Sequence, residues 1–118
     1  MANHETVHGF CPRSGPHPVY TVWANMRQRC NNTNNPYYRN YGGRGIVICP
    51  EWSEAAGFIA DMIQSWLDNE GPRKMLLKRK HRLTIERRDN NRGYSPDNCY
   101  WATYKQQSAN QRAKRAKQ

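Results

Sequence analysis

One segment sets the terms on which this chain can fold. From about Glu54 to Asp68, the residues Phe58, Ile59, Met62, Ile63, Trp66 and Leu67 recur at helical spacing, which makes one continuous apolar stripe. Ser53 stands where it would cap the N-terminus, and Gly71-Pro72 would end the helix. Packing of the helix on a core accounts for the stripe without a cofactor. Little else in the chain is as apolar. Only 36% of the 118 residues are hydrophobic and the mean hydropathy is −1.10. One small domain with a small core is therefore expected, doing much of its work at its surface.

A second helix is expected in "VYTVWANMRQRC", where Val19, Val22, Trp23, Met26 and Cys30 fall on one face. The residues before it, to about Pro18, read as irregular. "NNTNNPYYRNYGGRG" is loop chemistry, and "IVIC" reads as a short buried strand. From Arg82 the period changes. In "RLTIE", Leu83 and Ile85 alternate with polar neighbours as in a half-buried strand, and "CYWA" supplies a second strand after an Asn-, Gly- and Pro-rich loop. Thr103 with Gln106 has the spacing of a capping box, so a helix should start near Tyr104. The expected fold is α+β: a small single domain with two helices in its N-terminal half and a C-terminal ββα hairpin. An irregular segment over 1–18, the domain over 19–112 and a basic tail over 113–118 complete the division.

Charge narrows the choice of partner. Residues 1–72 hold five Arg/Lys and six Asp/Glu, whereas residues 73–118 hold fourteen and three. A concentrated positive field releases counterions from phosphate, which makes DNA the leading partner, with RNA or a nucleoprotein behind it. The basic side chains expected to meet DNA are Arg44, Lys78, Arg79, Lys80, Arg82, Arg88, Arg92, Lys105 and Arg112. A membrane is not an expected partner: no apolar run approaches spanning length, and "MANHETVHGF" lacks the apolar core of a signal peptide. The expected location is the cytoplasm, where the four cysteines would be free thiols or metal ligands rather than disulfides.

The run "IERRDNN…SPDNCYWAT…Q" resembles the ββα-metal hairpin of the HNH endonucleases, especially small phage and homing-type enzymes. The elements "HG", "W..M..RC", "YGGRGI..C..W", "F..DM" and "NCYWAT", which span about residues 8 to 112, are similar to short phage proteins labelled HNH or AP2-like. The resemblance implies a bacterial host cell and a divalent ion, Mg²⁺ or similar. In that hairpin a first-strand ligand holds the ion, the next residue is a histidine that deprotonates water, an asparagine fixes the loop, and the helix supplies a last ligand. By the same resemblance Glu86 and Gln107 take the two ligand positions, Asn98 the loop position and Arg87 the position of the base. An arginine is already protonated at neutral pH and cannot be that base. It can clamp a phosphate. His81, just upstream, is a candidate base, as is metal-bound water or hydroxide; a solvated salt-bridge run is the plain alternative for residues 86–89.

Two further groups of residues carry chemistry. "YGGRG" either lets the backbone approach a phosphate, with Arg44 as clamp, or simply makes a tight turn. His8 and Cys11 have half of a zinc-knuckle spacing, and Cys30, Cys49 and Cys99 could join them in a structural Zn²⁺ site. Cys30 and Cys49 are equally explained as small buried hydrophobes. Three functions fit these features. One is a metal-dependent DNA nickase or endonuclease of HNH type, the second a non-catalytic DNA-binding regulator on the same scaffold, and the third a small basic protein that inhibits a host nucleoprotein complex.

Overall fold

The computed structural model describes residues 17–116, with side chains through Asn110. Two helices are followed by a β-hairpin and a C-terminal helix, in the α+β order expected. Helix α1 spans Pro18–Asn31. The His17 ring accepts from the Val19 amide, Pro18 sits in the first turn where its missing N–H costs nothing, and Val19, Trp23, Met26 and Cys30 are buried along one face. Asn32 and Asn35 then accept from the amides of Asn34 and Tyr37, which closes local turns and stops the helix continuing.

"IVIC" does not become a strand. Ile46 is buried and Val47 is 65% exposed, and Ile48 makes one isolated parallel bridge to Tyr94. Pro50 and Pro96 bound the two segments and supply no N–H to lengthen a ladder. Helix α2 spans Ala55–Asp68, after a 3-10 turn at Pro50–Trp52. Its cap is Glu54, with no side-chain hydrogen bond, rather than Ser53, whose amide is used to close the preceding turn on Pro50. The stripe is narrower than expected: Ala55, Phe58, Ile59, Met62 and Trp66 are buried, Ile63 is partly buried, and Leu67 is 45% exposed. Gly71-Pro72 does not end α2 either. Asn69 and Glu70 break the chain, and Pro72 then lies in the first turn of a short helix α3, Gly71–Lys74.

Strands β1 (Leu83–Arg87) and β2 (Cys99–Thr103) pair antiparallel, with Leu83 opposite Thr103 and Arg87 opposite Cys99. All five residues of β1 are buried rather than every second one. The hairpin is covered on both sides: α2 packs on β2, and helix α4 (Tyr104–Ala116) packs on β1. The capping box starts α4 as expected, with the Thr103 amide donating to Gln106 Oε1 at 2.8 Å and the Gln106 amide to Thr103 Oγ1 at 3.1 Å. Its backbone runs to Ala116, so the helix extends past 112 into the expected tail.

Aromatic residues dominate the core. Phe58 meets Trp52 edge-on at 4.9 Å and Trp101 at 6.2 Å. Three of the four buried indoles also find an acceptor: Trp23 donates to Trp52 O, Trp52 to Asp61 Oδ2 and Trp101 to Met62 O. Those bonds tie α1, α2 and the hairpin together. No helix among the described residues is long and apolar enough to cross a membrane.

Candidate nucleic-acid interface

Between α1, the tyrosine-rich turn, β1 and the start of α4 lies an open cleft of about 810 Å³. Its walls carry Arg29, Arg44, Arg79 and Arg87, with Tyr37, Tyr41, Tyr94 and Tyr104 among them. The helical spacing of α1 puts Arg29 seven residues after Val22 and three after Met26, on the side of the helix that faces inward. That spacing was the available signal for Arg29. Nothing local announced Tyr41 and Tyr94, whose rings stack with centroids 6.4 Å apart.

Arg87 lies against this pair and is 6% exposed. Its guanidinium carbon is 5.4 Å from the Tyr41 ring and 5.2 Å from Tyr94. Nη1 donates to Asn90 O at 2.6 Å and Arg92 O at 2.9 Å, and Nη2 to Asn90 Oδ1 at 3.1 Å. Arg29 covers Tyr41 at 4.9 Å and donates to the Tyr94 hydroxyl at 3.1 Å, while its buried Nε has no protein partner. Burial pushes the Tyr94 hydroxyl up from its ordinary value, and Arg29 opposes that shift. Two guanidinium groups thus share one tyrosine sandwich.

The glycine loop is held by the same neighbourhood. A Cβ on Gly42 would lie 2.1 Å from Cys30 O, so glycine is required there by α1 itself. Arg44 donates to Asn40 O, Asn90 O and Asn91 Oδ1, which ties this turn to the hairpin loop. Of the two meanings of "YGGRG", these contacts belong to the tight turn.

Glu86 and Gln107 line the same cleft. Glu86 is 9% exposed; Oε1 accepts from the Arg87 amide at 3.2 Å, and the buried Oε2 has no protein partner. Asn98, 1% exposed, is the hub of the loop. Its Oδ1 accepts from the Asp89 amide, and Nδ2 donates to Asp89 O and Gly93 O. His81 ends a 3-10 turn over Arg79–His81 and is not among the residues lining the cleft.

Of the other described basic residues, Arg79 lines the cleft and the rest lie outside its lining. Arg79 lies 3.9 Å over Tyr104 and Arg88 lies 4.8 Å over Tyr100. Arg82 donates to Leu77 O, Arg92 pairs with Asp97, and Lys78, Lys80 and Lys105 are exposed. The side chain of Arg112 lies outside those described, as do residues His8 and Cys11 of the expected zinc set. Cys30, Cys49 and Cys99 are free, and burial pushes the Cys99 thiol up to about 11. Among the described residues no group of three or more His, Cys, Asp or Glu is placed to hold a metal ion. Comparison with protein-family models, curated proteins and solved structures returned no match, so the likeness to HNH proteins rests on the motifs quoted above.

Proposed function

We propose that this chain is a DNA-binding protein on an HNH-like ββα scaffold, and that the cleft with its arginines is where duplex DNA docks. One observation carries the reading: arginines and tyrosines from α1, the glycine turn, the Arg79 turn, β1 and α4 converge on one open, polar cleft. Guanidinium groups laid on tyrosine rings are held in place before a ligand arrives, and the exposed lysines beside them add unpaired charge. Affinity for a duplex should fall about a thousandfold between 50 and 200 mM salt if about six phosphates are contacted. Lys78→Ala and Lys80→Ala should each lower the slope of log affinity against log salt by about one. Arg27→Ala should leave it unchanged, since Arg27 lies over Trp23 on α1, outside the basic run of residues 78–82 in which Arg79 lines the cleft. Fluorescence anisotropy at several salt concentrations measures this; a salt-independent constant removes the reading.

Cleavage is a second reading, supported by the unpartnered Oε2 of Glu86. Glu86 and Gln107 would hold a divalent ion, and one carboxylate with one amide oxygen suits magnesium, which keeps waters and a phosphate as its other ligands. Bound there, the ion would stabilise charge on the scissile phosphate. The chain's own part is to hold the ion beside DNA, with Asn98 fixing the hairpin loop. Plasmid nicking that needs Mg²⁺, stops with chelator and disappears in Glu86→Gln is the expected result of this reading. Nicking that survives Glu86→Gln, or no nicking at all, leaves the binding module alone.

A further inference from the structure

Leu76 is 87% exposed, the highest value among the exposed large apolar side chains of the described residues. A single leucine in water is ordinary. Its mounting and its neighbours are not. Gly71 sits against the Trp66 indole so closely that a Cβ would lie 2.2 Å from the ring. From that anchor, four successive amides close on the chain behind them: Lys74 on Glu70 O, Met75 on Gly71 O, Leu76 on Arg73 O and Leu77 on Lys74 O, at 2.9 to 3.1 Å. Met75 packs against the core, and Leu77 O accepts from Arg82 Nε. The turn is therefore fixed on both sides, and among the described residues its tip stays almost fully exposed.

The cations supply the second half of the argument. After Glu70, whose carboxylate pairs with Arg73, the chain from Lys74 to Ile85 holds Lys74, Lys78, Arg79, Lys80 and Arg82 and no carboxylate. An apolar tip flanked along the chain by positive charge is complementary to a surface that is anionic outside and apolar within. Stacked base pairs between phosphate strands have that character. A second copy of this chain would bring the same positive charge against itself, and one leucine gives a bilayer too little apolar area for stable anchoring. Arg79, three residues on, already lines the cleft.

We infer that Leu76 is a wedge, which enters the minor groove of bound duplex DNA and partly unstacks one base step while the flanking cations hold the phosphates. The inference rests on duplex binding as proposed above. Pyrimidine–purine steps unstack most readily, so a TpA step should be preferred.

The test uses the full chain and a short duplex with 2-aminopurine in a central TpA step and a donor–acceptor dye pair at its ends. Anisotropy gives affinity separately. Wild type should raise the 2-aminopurine fluorescence and shorten the end-to-end distance at saturation. Leu76→Ser should bind with the same salt slope yet lose both signals, and Leu76→Phe should retain them. Wild type that binds the duplex without unstacking it overturns the wedge and leaves the binding reading intact, as does Leu76→Ser unstacking like wild type. No duplex binding at all removes both. Leu76-dependent binding to phosphatidylserine vesicles, with the duplex left stacked, also overturns the wedge.

Discussion

Arg87→His should cost this protein about 3–5 kcal/mol of stability and should create no nuclease. Three charge-assisted hydrogen bonds run from the guanidinium to Asn90 and Arg92, and the group lies against both Tyr41 and Tyr94. An imidazole is too short to reach the loop carbonyls and cannot replace two parallel N–H groups. It would leave Arg92 O without this donor in a part-buried site, at about 1–3 kcal/mol, while Asn90 O would keep only Arg44 Nη2 at 3.2 Å. Arg87→Lys should recover little, because an ammonium keeps the charge and loses the planar fork. Urea denaturation gives the stability, and the plasmid assay gives activity on the same samples. A histidine variant as stable as wild type, or one that gains magnesium-dependent nicking, would contradict the structural role assigned to Arg87. On the HNH-like reading proposed above, an arginine in the position of a base would serve this role, with Nη1 and one N–H of Nη2 engaged by the hairpin loop.

The local signals were readable from the chain where both partners lie close together. Thr103 and Gln106 are three residues apart and cap α4 as their spacing implies. Val19, Trp23, Met26 and Cys30 bury the face that their period selects. Glu86 and Gln107, singled out only through the quoted motifs, both line the cleft. What escaped depends on contacts made over long stretches of chain. The environment of Arg87 is made by Tyr41, forty-six residues away, and nothing in "IERRDNN" records it. "IVIC" has strand composition but finds only Tyr94 to bridge, between two prolines. Leu67 belongs to the apolar period of α2, yet among the described residues it stays 45% exposed. Hydrophobic period selects a face; tertiary packing decides how wide a strip of it is buried.

Asn98→Asp should be more damaging than Asn98→Ala, although it changes one atom in size and shape very little. The alanine variant leaves the Asp89 amide and the carbonyls of Asp89 and Gly93 without their buried partner, at a cost of about 3 kcal/mol. The aspartate can still accept from the Asp89 amide. In place of Nδ2, however, it points a second oxygen at two carbonyl oxygens, in a site where the wild-type side chain is 1% exposed. Burial and those carbonyls both oppose the charged form, so the introduced carboxyl should titrate above its unfolded value of about 3.9. The sign follows directly. The neutral acid is tolerated better than the anion, so the extra penalty is fully present well above the folded-state pKa and is lost as pH falls toward the unfolded value. At neutral pH the deficit should exceed that of alanine by about 1–2 kcal/mol, and the gap should close on acidification. Urea midpoints for both variants at pH 7 and near pH 4 measure this, with alanine cancelling the titration of every other group. A gap that is absent at pH 7, or that widens in acid, would mean Asn98 does not donate to the loop carbonyls.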